Sequence, residues 1–164
     1  FSMYPNLIDY AVINSALVRP NSILRKMIKP SIKLTFPLVK VKSFSKLQAK
    51  TLFIDEEYFV TYYKESTQMK SDTLIRILEE NMSFEIPNDF KKVKSKVLVT
   101  VGEKEKSVMK KSAKDIVSSN SNCTGIIIPN AGHGIPLANP DFFNQMIGEW
   151  IQEGTSPQDV VIIK

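Results

Sequence analysis

Apolar and polar positions change their spacing twice along the chain. A nearly continuous apolar run over residues 7–18, ended by a turn sequence, predicts a strand that is buried on both faces. Shorter β-branched runs over 95–102 and 124–130 predict two more strands, and apolar residues at helical spacing over 107–120 and 139–154 predict helices beside them. This alternation predicts an α/β fold with a partial parallel sheet of about three strands and flanking helices.

The segment between the first two predicted strands has a different character. From about Pro20 to Pro87 the apolar spacing is helical, with a candidate N-cap at Asn21 and acidic residues in several first turns. Prolines are expected to break this region into pieces, at Pro30, Pro37 and Pro87. The predicted organisation is therefore a first core strand (residues 1–19), a mostly helical insertion (20–87) and a C-terminal α/β core (88–154). A tail over residues 155–164 either adds a short strand or frays.

The last helix has the clearest boundaries. Asn139 is the predicted N-cap, Pro140 occupies the first helical position and Gly154 ends the helix. Its apolar positions share one face, which we expect to be buried, and comprise Phe142, Phe143, Met146, Ile147, Trp150 and Ile151.

Composition excludes several classes of protein. The net charge is +5, from 22 Lys and Arg against 17 Asp and Glu, but the basic residues form no dense stripe and are little interleaved with aromatic ones, which argues against nucleic-acid binding. No apolar run is long enough for a membrane span, and the N-terminus does not resemble a signal peptide. One cysteine and one histidine, with unclustered acids, predict neither a metal site nor a cofactor, and the single cysteine fits the cytoplasm.

The single histidine, His133, follows a predicted strand and lies between Gly132 and Gly134. In a parallel sheet with covering helices, chemistry collects at the carboxyl ends of the strands. Glycine allows a sharp turn and leaves the imidazole uncrowded, which suits a general base. A loop histidine that merely bonds a backbone carbonyl is an equally good interpretation of its position.

A second loop reaches the same predicted edge of the sheet. Glu103 and Glu105 follow the strand that ends at Gly102, and a carboxylate there is placed to orient a histidine in the neighbouring loop. Taken alone, the two acids are better explained as solvated surface charges, mixed with lysines. Ser107 is expected to cap the following helix.

The two loops together resemble the C-terminal third of an α/β-hydrolase-fold protein. The resemblance rests on an ordered set of segments over about 65 residues, VLVTVGEKE, IIIPNAGHGIP and NPDFFNQMIGEWI. It implies His133 as the general base and Glu105 as the acid that orients it, with Glu103 as the second choice. The usual acid in that family is Asp, so Glu is a departure. Upstream, YPNLIDYAVINSA resembles the strand after the nucleophile elbow, and residues 20–87 resemble the cap that follows it.

The nucleophile elbow, G-x-S-x-G, is not found in the sequence. Ser2 lacks the helix that should follow an elbow, Ser15 lacks the glycines that permit the turn, and Cys123 lies at the wrong end of its strand. The resemblance therefore predicts the C-terminal half of an esterase-like or lipase-like serine hydrolase that acts on a small ester and is inactive as this fragment. A non-enzymatic interaction module that keeps the fold is the alternative.

An incomplete sheet has a further consequence. The strand over residues 10–16 is expected to pair with the nucleophile strand, and here it forms a long apolar edge. Such edges seek partners. We therefore expect a homodimer, or a missing N-terminal half, paired at this edge.

Overall fold

A computed structural model describes residues 2–155 and 160–163. The chain forms two compact units. One unit comprises Phe1–Arg19 together with Phe84–Lys164, and the other is the continuous segment Pro20–Ser83. We refer to them as the sheet unit and the helical unit.

The sheet unit contains a four-stranded sheet in the order β1-β2-β3-β4. Its strands are β1 (Tyr10–Asn14), β2 (Lys96–Gly102), β3 (Cys123–Ile128) and β4 (Val161–Ile163). The first three are parallel, as the sequence predicts, and β4, which the tail contributes, pairs antiparallel to β3. The register places Val99 between Ile13 of β1 and Gly125 of β3.

The central strand β2 is buried on both faces, which explains its unbroken apolar sequence. On one face Val97, Val99 and Val101 pack in a cluster with Ala113 and Ile116 of helix α5 (Ser107–Ser119), the fifth α-helix among the described residues. On the other face Leu98 and Ile126 pack with Met146 and Trp150 of helix α7 (Pro140–Glu153). A short helix, α6 (Ile135–Ala138), precedes α7. The core of the unit is therefore two apolar layers separated by the sheet.

Strand β1 departs from the prediction. The apolar run 7–18 was expected to be buried on both faces, whereas the strand covers only Tyr10–Asn14, and its residues are exposed or half-buried. The reason is topological, because β1 lies at the edge of the sheet and, of the four strands that the structure describes, β2 alone pairs with it. An apolar run of this length indicates a strand but does not distinguish an edge position from a central one.

The predicted cap residues can be compared with the observed ends of helices α5 and α7. Asn139 caps α7, since its side chain accepts a hydrogen bond from the backbone N–H of Phe142, and Gly154 ends α7 with φ 68°. Both features match the prediction. The expected cap at Ser107 is wrong, because Ser107 is already the first residue of α5 and the cap position falls on Lys106.

The helical unit contains four α-helices and two short 3-10 helices among its residues, which the structure describes throughout. Asn21 caps the first helix as predicted. Pro30 does not break that helix but lies inside it. Because Pro30 is exposed, solvent reaches the backbone carbonyl that its missing N–H leaves unpaired. The elements are α1 (Ser22–Thr35), a 3-10 helix (Phe36–Lys40), α2 (Lys42–Thr51), a 3-10 helix (Glu56–Tyr58), α3 (Phe59–Gln68) and α4 (Ser71–Asn81).

Within residues 2–155 and 160–163, no helix has the length and apolar character that crossing a membrane requires. The same residues contain no group of three or more histidine, cysteine and acidic side chains arranged to hold a metal ion.

Candidate active site

The two candidate loops meet at one edge of the sheet. Glu105 lies three residues beyond the end of β2 at Gly102, and His133 lies five residues beyond the end of β3 at Ile128. Because β2 and β3 are parallel neighbours, their carboxyl ends share this edge. The topology therefore brings together two residues that are separated by 28 positions in the sequence.

The side chains of these two residues are in direct contact. His133 Nδ1 lies 2.9 Å from Glu105 Oε2. The Glu105 side chain is only 2% exposed, whereas that of His133 is 72% exposed. With Nδ1 held against the carboxylate, Nε2 is the ring nitrogen that remains available to take up a proton.

The second oxygen of Glu105 is also bound. Oε1 accepts a hydrogen bond from the Ser15 hydroxyl at 2.7 Å and another from the backbone N–H of Gly102 at 2.8 Å. A buried carboxylate is costly unless its oxygens are hydrogen-bonded. Here both oxygens have partners, so Glu105 is held in place by two elements besides the histidine loop.

Backbone contacts join the two loops. Lys104 N–H donates to the carbonyl of Ala131, and Glu103 N–H donates to the carbonyl of Ile128, each at 2.9 Å. Gly102 makes this approach possible, because a Cβ atom there would lie 2.5 Å from the Ala131 oxygen. The glycine that the loop requires is therefore Gly102.

The glycines beside His133 have a smaller role than the sequence indicates. Gly134 has φ −94°, a value open to any residue. A Cβ atom on Gly132 would meet no other atom within 4 Å. The space around His133 is open, as expected, but neither observation shows a turn that only glycine permits.

Glu103, the second candidate acid, has another partner. Its Oε2 accepts a hydrogen bond from the backbone N–H of Asn130 at 2.8 Å. Asn130 has φ 56°, a left-handed conformation that Asn tolerates better than most residues. Glu103 thus binds the loop that follows β3 at Asn130. The acid that contacts His133 is Glu105.

The candidate nucleophiles are placed differently. Cys123 begins β3, at the end of the strand opposite to His133, and burial raises the pKa of its thiol to about 11. Since the thiolate is the reactive form, this raised pKa argues against Cys123 as a nucleophile near neutral pH. Ser2 lines an apolar depression with Met3 and Phe84.

The sequence argues against Ser15 as the nucleophile because no glycine accompanies it. Ser15 itself adopts a left-handed conformation with φ 52°, but no helix follows it before Ser22, so the strand-turn-helix of an elbow is not formed there. The side chain of Ser15 is committed to Glu105, and the residue is buried, with 8% of its surface exposed. Its contact with the acid was not foreseen, since nothing local in the sequence marks it.

Solved structures that resemble this chain in fold are α/β-hydrolase-fold proteins. MGS-M2, an alpha/beta hydrolase enzyme from a Medee basin deep-sea metagenome library, matches with a TM-score of 0.67 and 19% identity over 96% of this chain and 60% of that chain. Carboxylesterase CesB from Bacillus subtilis matches with a TM-score of 0.59 and 16% identity over 94% and 55%. NosK from Streptomyces actuosus matches with a TM-score of 0.57 and 19% identity, over 94% of this chain and 63% of that chain.

The chain has the α/β-hydrolase fold. It spans less than two thirds of the length of each of these three hydrolase-fold structures, at 60%, 55% and 63%. Neither a model of a protein family nor a curated protein sequence matches the chain, so the likeness is one of structure. The resemblance drawn from the sequence is confirmed at the level of the fold.

Proposed function

We propose that this chain supplies the general base and its orienting acid to a serine hydrolase that cleaves small esters. The observation that carries the proposal is the 2.9 Å contact between His133 Nδ1 and the buried Glu105 carboxylate. A solvated surface acid would not be buried or held by two further donors. In this proposal the serine nucleophile comes from a segment outside the 164 residues.

The contacts support a definite division of roles. Glu105 holds the imidazole by Nδ1, so that Nε2 accepts the proton of the serine hydroxyl as the serine oxygen attacks the ester carbonyl. The protonated ring then gives this proton to the departing alcohol, and a serine ester remains. Water, deprotonated by the same ring nitrogen, hydrolyses the ester and restores the serine. The Glu105 carboxylate stays charged and stabilises the imidazolium in both steps.

The same contact bears on the alternative of an interaction module without chemistry. Loss of selection on a site is expected to let the acid and the base diverge, whereas here the two side chains are in contact and both oxygens of the acid are hydrogen-bonded. We therefore favour the hydrolase. In this proposal the helical unit corresponds to the cap of α/β-hydrolase-fold enzymes, and the protein works in the cytoplasm.

The proposal is tested by ester hydrolysis. A longer form of the protein that includes a nucleophile elbow is expected to hydrolyse short p-nitrophenyl esters, because base, acid and nucleophile are then all present. The 164-residue chain alone should release p-nitrophenol no faster than buffer. A longer form with no serine, cysteine or aspartate at the elbow position would contradict the proposal.

The exposed edge of β1 supports a further proposal about partners. In a strand, the N–H and C=O of one residue point to the same side, and those of the next residue point to the other side. The backbone groups of Asp9 and Ser15 bond to β2, so those of Tyr10, Val12 and Asn14 point to the open edge. Beside the strand lies an apolar depression of about 620 Å³, lined by Ile13 and Ala16 among others. We propose that this edge pairs with a further strand, from a second copy or from the N-terminal half of the fold.

If the edge pairs with a second copy, the isolated chain is expected to be a dimer in light scattering. Replacing Val12 with proline removes an outward N–H and should yield the monomer, because the hydrogen bonds to β2 come from the alternate residues. Val12→Thr, which keeps the N–H and the branched side chain, serves as the control and should remain dimeric. A strictly monomeric wild-type chain would contradict the self-pairing form of the proposal.

A further inference from the structure

Ser15 adopts a conformation that its residue type does not favour. Its φ of 52° lies in the left-handed region, which non-glycine residues rarely occupy. The residue follows the end of β1, and its backbone N–H donates to the carbonyl of Thr100 on β2 at 2.8 Å. Conformations of this kind persist only where surrounding contacts fix them, and they cluster at functional sites.

The conformation places the Ser15 hydroxyl on the candidate acid. Oγ lies 2.7 Å from Glu105 Oε1, the same oxygen that accepts from Gly102 N–H at 2.8 Å. Two donors, one from the residue after β1 and one from the end of β2, thus bind one carboxylate oxygen. Since the two oxygens of a carboxylate have a fixed separation, anchoring Oε1 restricts the positions that Oε2 can take beside the imidazole of His133.

We infer that Ser15 is a positioning residue, which orients the Glu105 carboxylate and thereby selects the Nδ1–H tautomer of His133. The catalytic meaning of that role rests on the proposed function, whereas the orientation itself does not. The sheet does not need the hydroxyl, because the backbone N–H of Ser15 already closes β1 onto β2. Removal of the hydroxyl therefore addresses the orientation of the acid directly.

The chain offers a direct measurement, because His133 is its only histidine. In ¹⁵N spectra of the neutral ring, the wild-type chain is expected to show mainly the Nδ1–H tautomer. Ser15→Ala and Ser15→Gly should each lower the ratio of Nδ1–H to Nε2–H by about fivefold, the effect of one hydrogen bond of ordinary net strength. Glycine accepts a φ of 52° readily, so Ser15→Gly removes the hydroxyl without adding backbone strain.

Ser112→Ala is the matched control. Ser112 is fully buried in the same unit, and its Oγ accepts a hydrogen bond from the backbone N–H of Val18 at 3.2 Å. This change should destabilise the fold to a similar degree and leave the tautomer ratio of His133 unchanged. If Ser15→Ala does not fold, Ser15→Gly provides the test, since its backbone preference matches the native turn.

Three results would overturn the inference. They are a wild-type ring that is mainly Nε2–H, an unchanged ratio in both folded Ser15 variants, and an equal change in Ser112→Ala. Failure of the proposed function is distinguishable from these results. Suppose that the Ser15 variants change the tautomer ratio but the longer form of the protein hydrolyses no ester. The positioning role of Ser15 would then stand, and the proposed hydrolase function would be rejected.

Discussion

Replacing His133 with alanine in an ester-hydrolysing longer form of the protein should lower kcat by about 10⁴-fold or more. The physical reason is the loss of Nε2, which takes the proton of the nucleophile and returns it to the leaving group. KM is expected to change little, because the imidazole acts on the reacting atoms rather than on the remainder of the substrate. Steady-state kinetics with a p-nitrophenyl ester measures both quantities.

A matched variant in the neighbouring loop controls for disturbance of the site. Lys104 contacts the histidine loop through its backbone N–H, so Lys104→Ala keeps that bond and removes only a side chain. Its kcat should stay within about twofold of wild type, as is usual for surface changes away from reacting atoms. If the His133 variant kept most of the activity, the assignment of the base would be wrong.

Replacing Gly102 with alanine should lower the free energy of unfolding by about 3 kcal/mol, which is typical of an added atom that clashes with backbone. The added Cβ would lie 2.5 Å from the oxygen and 2.8 Å from the carbonyl carbon of Ala131, both of them backbone atoms. Relief requires the 131–133 loop to move away from β2. Urea unfolding measures the loss of stability, and the histidine ring signal of the folded variant should shift.

Gly132→Ala gives the contrasting result. Gly132 lies in the same loop, but a Cβ atom there meets nothing within 4 Å. Its unfolding free energy should remain within about 0.5 kcal/mol of wild type. An equal loss of unfolding free energy in Gly102→Ala and Gly132→Ala would show that the close contact at Gly102 does not determine the stability of this loop.

The sequence predicts the layout of the sheet unit well, because its features are local. The runs 95–102 and 124–130 are short, apolar and β-branched, and both form strands. Asn139 and Gly154 mark the ends of α7 through their own backbone and side-chain chemistry. Two consecutive parallel strands then place the loops after them at one edge, so the meeting of Glu105 with His133 follows from the topology.

What could not be predicted depends on contacts between distant segments. Ser15 and Glu105 are 90 positions apart, and no spacing rule connects them. The choice between Glu103 and Glu105 is similar, since it depends on which carboxylate reaches Asn130 and which reaches the ring. The edge position of β1 follows from the order of the strands, and an apolar run alone does not report that order.

The hydrogen bonds that join the two loops have one more consequence. The Glu103 and Lys104 amides and the Glu103 carboxylate fasten the histidine loop to the end of β2. The backbone of residues 128–131 therefore stays with the end of β2, whereas the exposed ring of His133 can leave Glu105 by rotating about its own side-chain bonds. In the proposed hydrolase, a motion of the base would then be a side-chain rotation rather than a displacement of the loop.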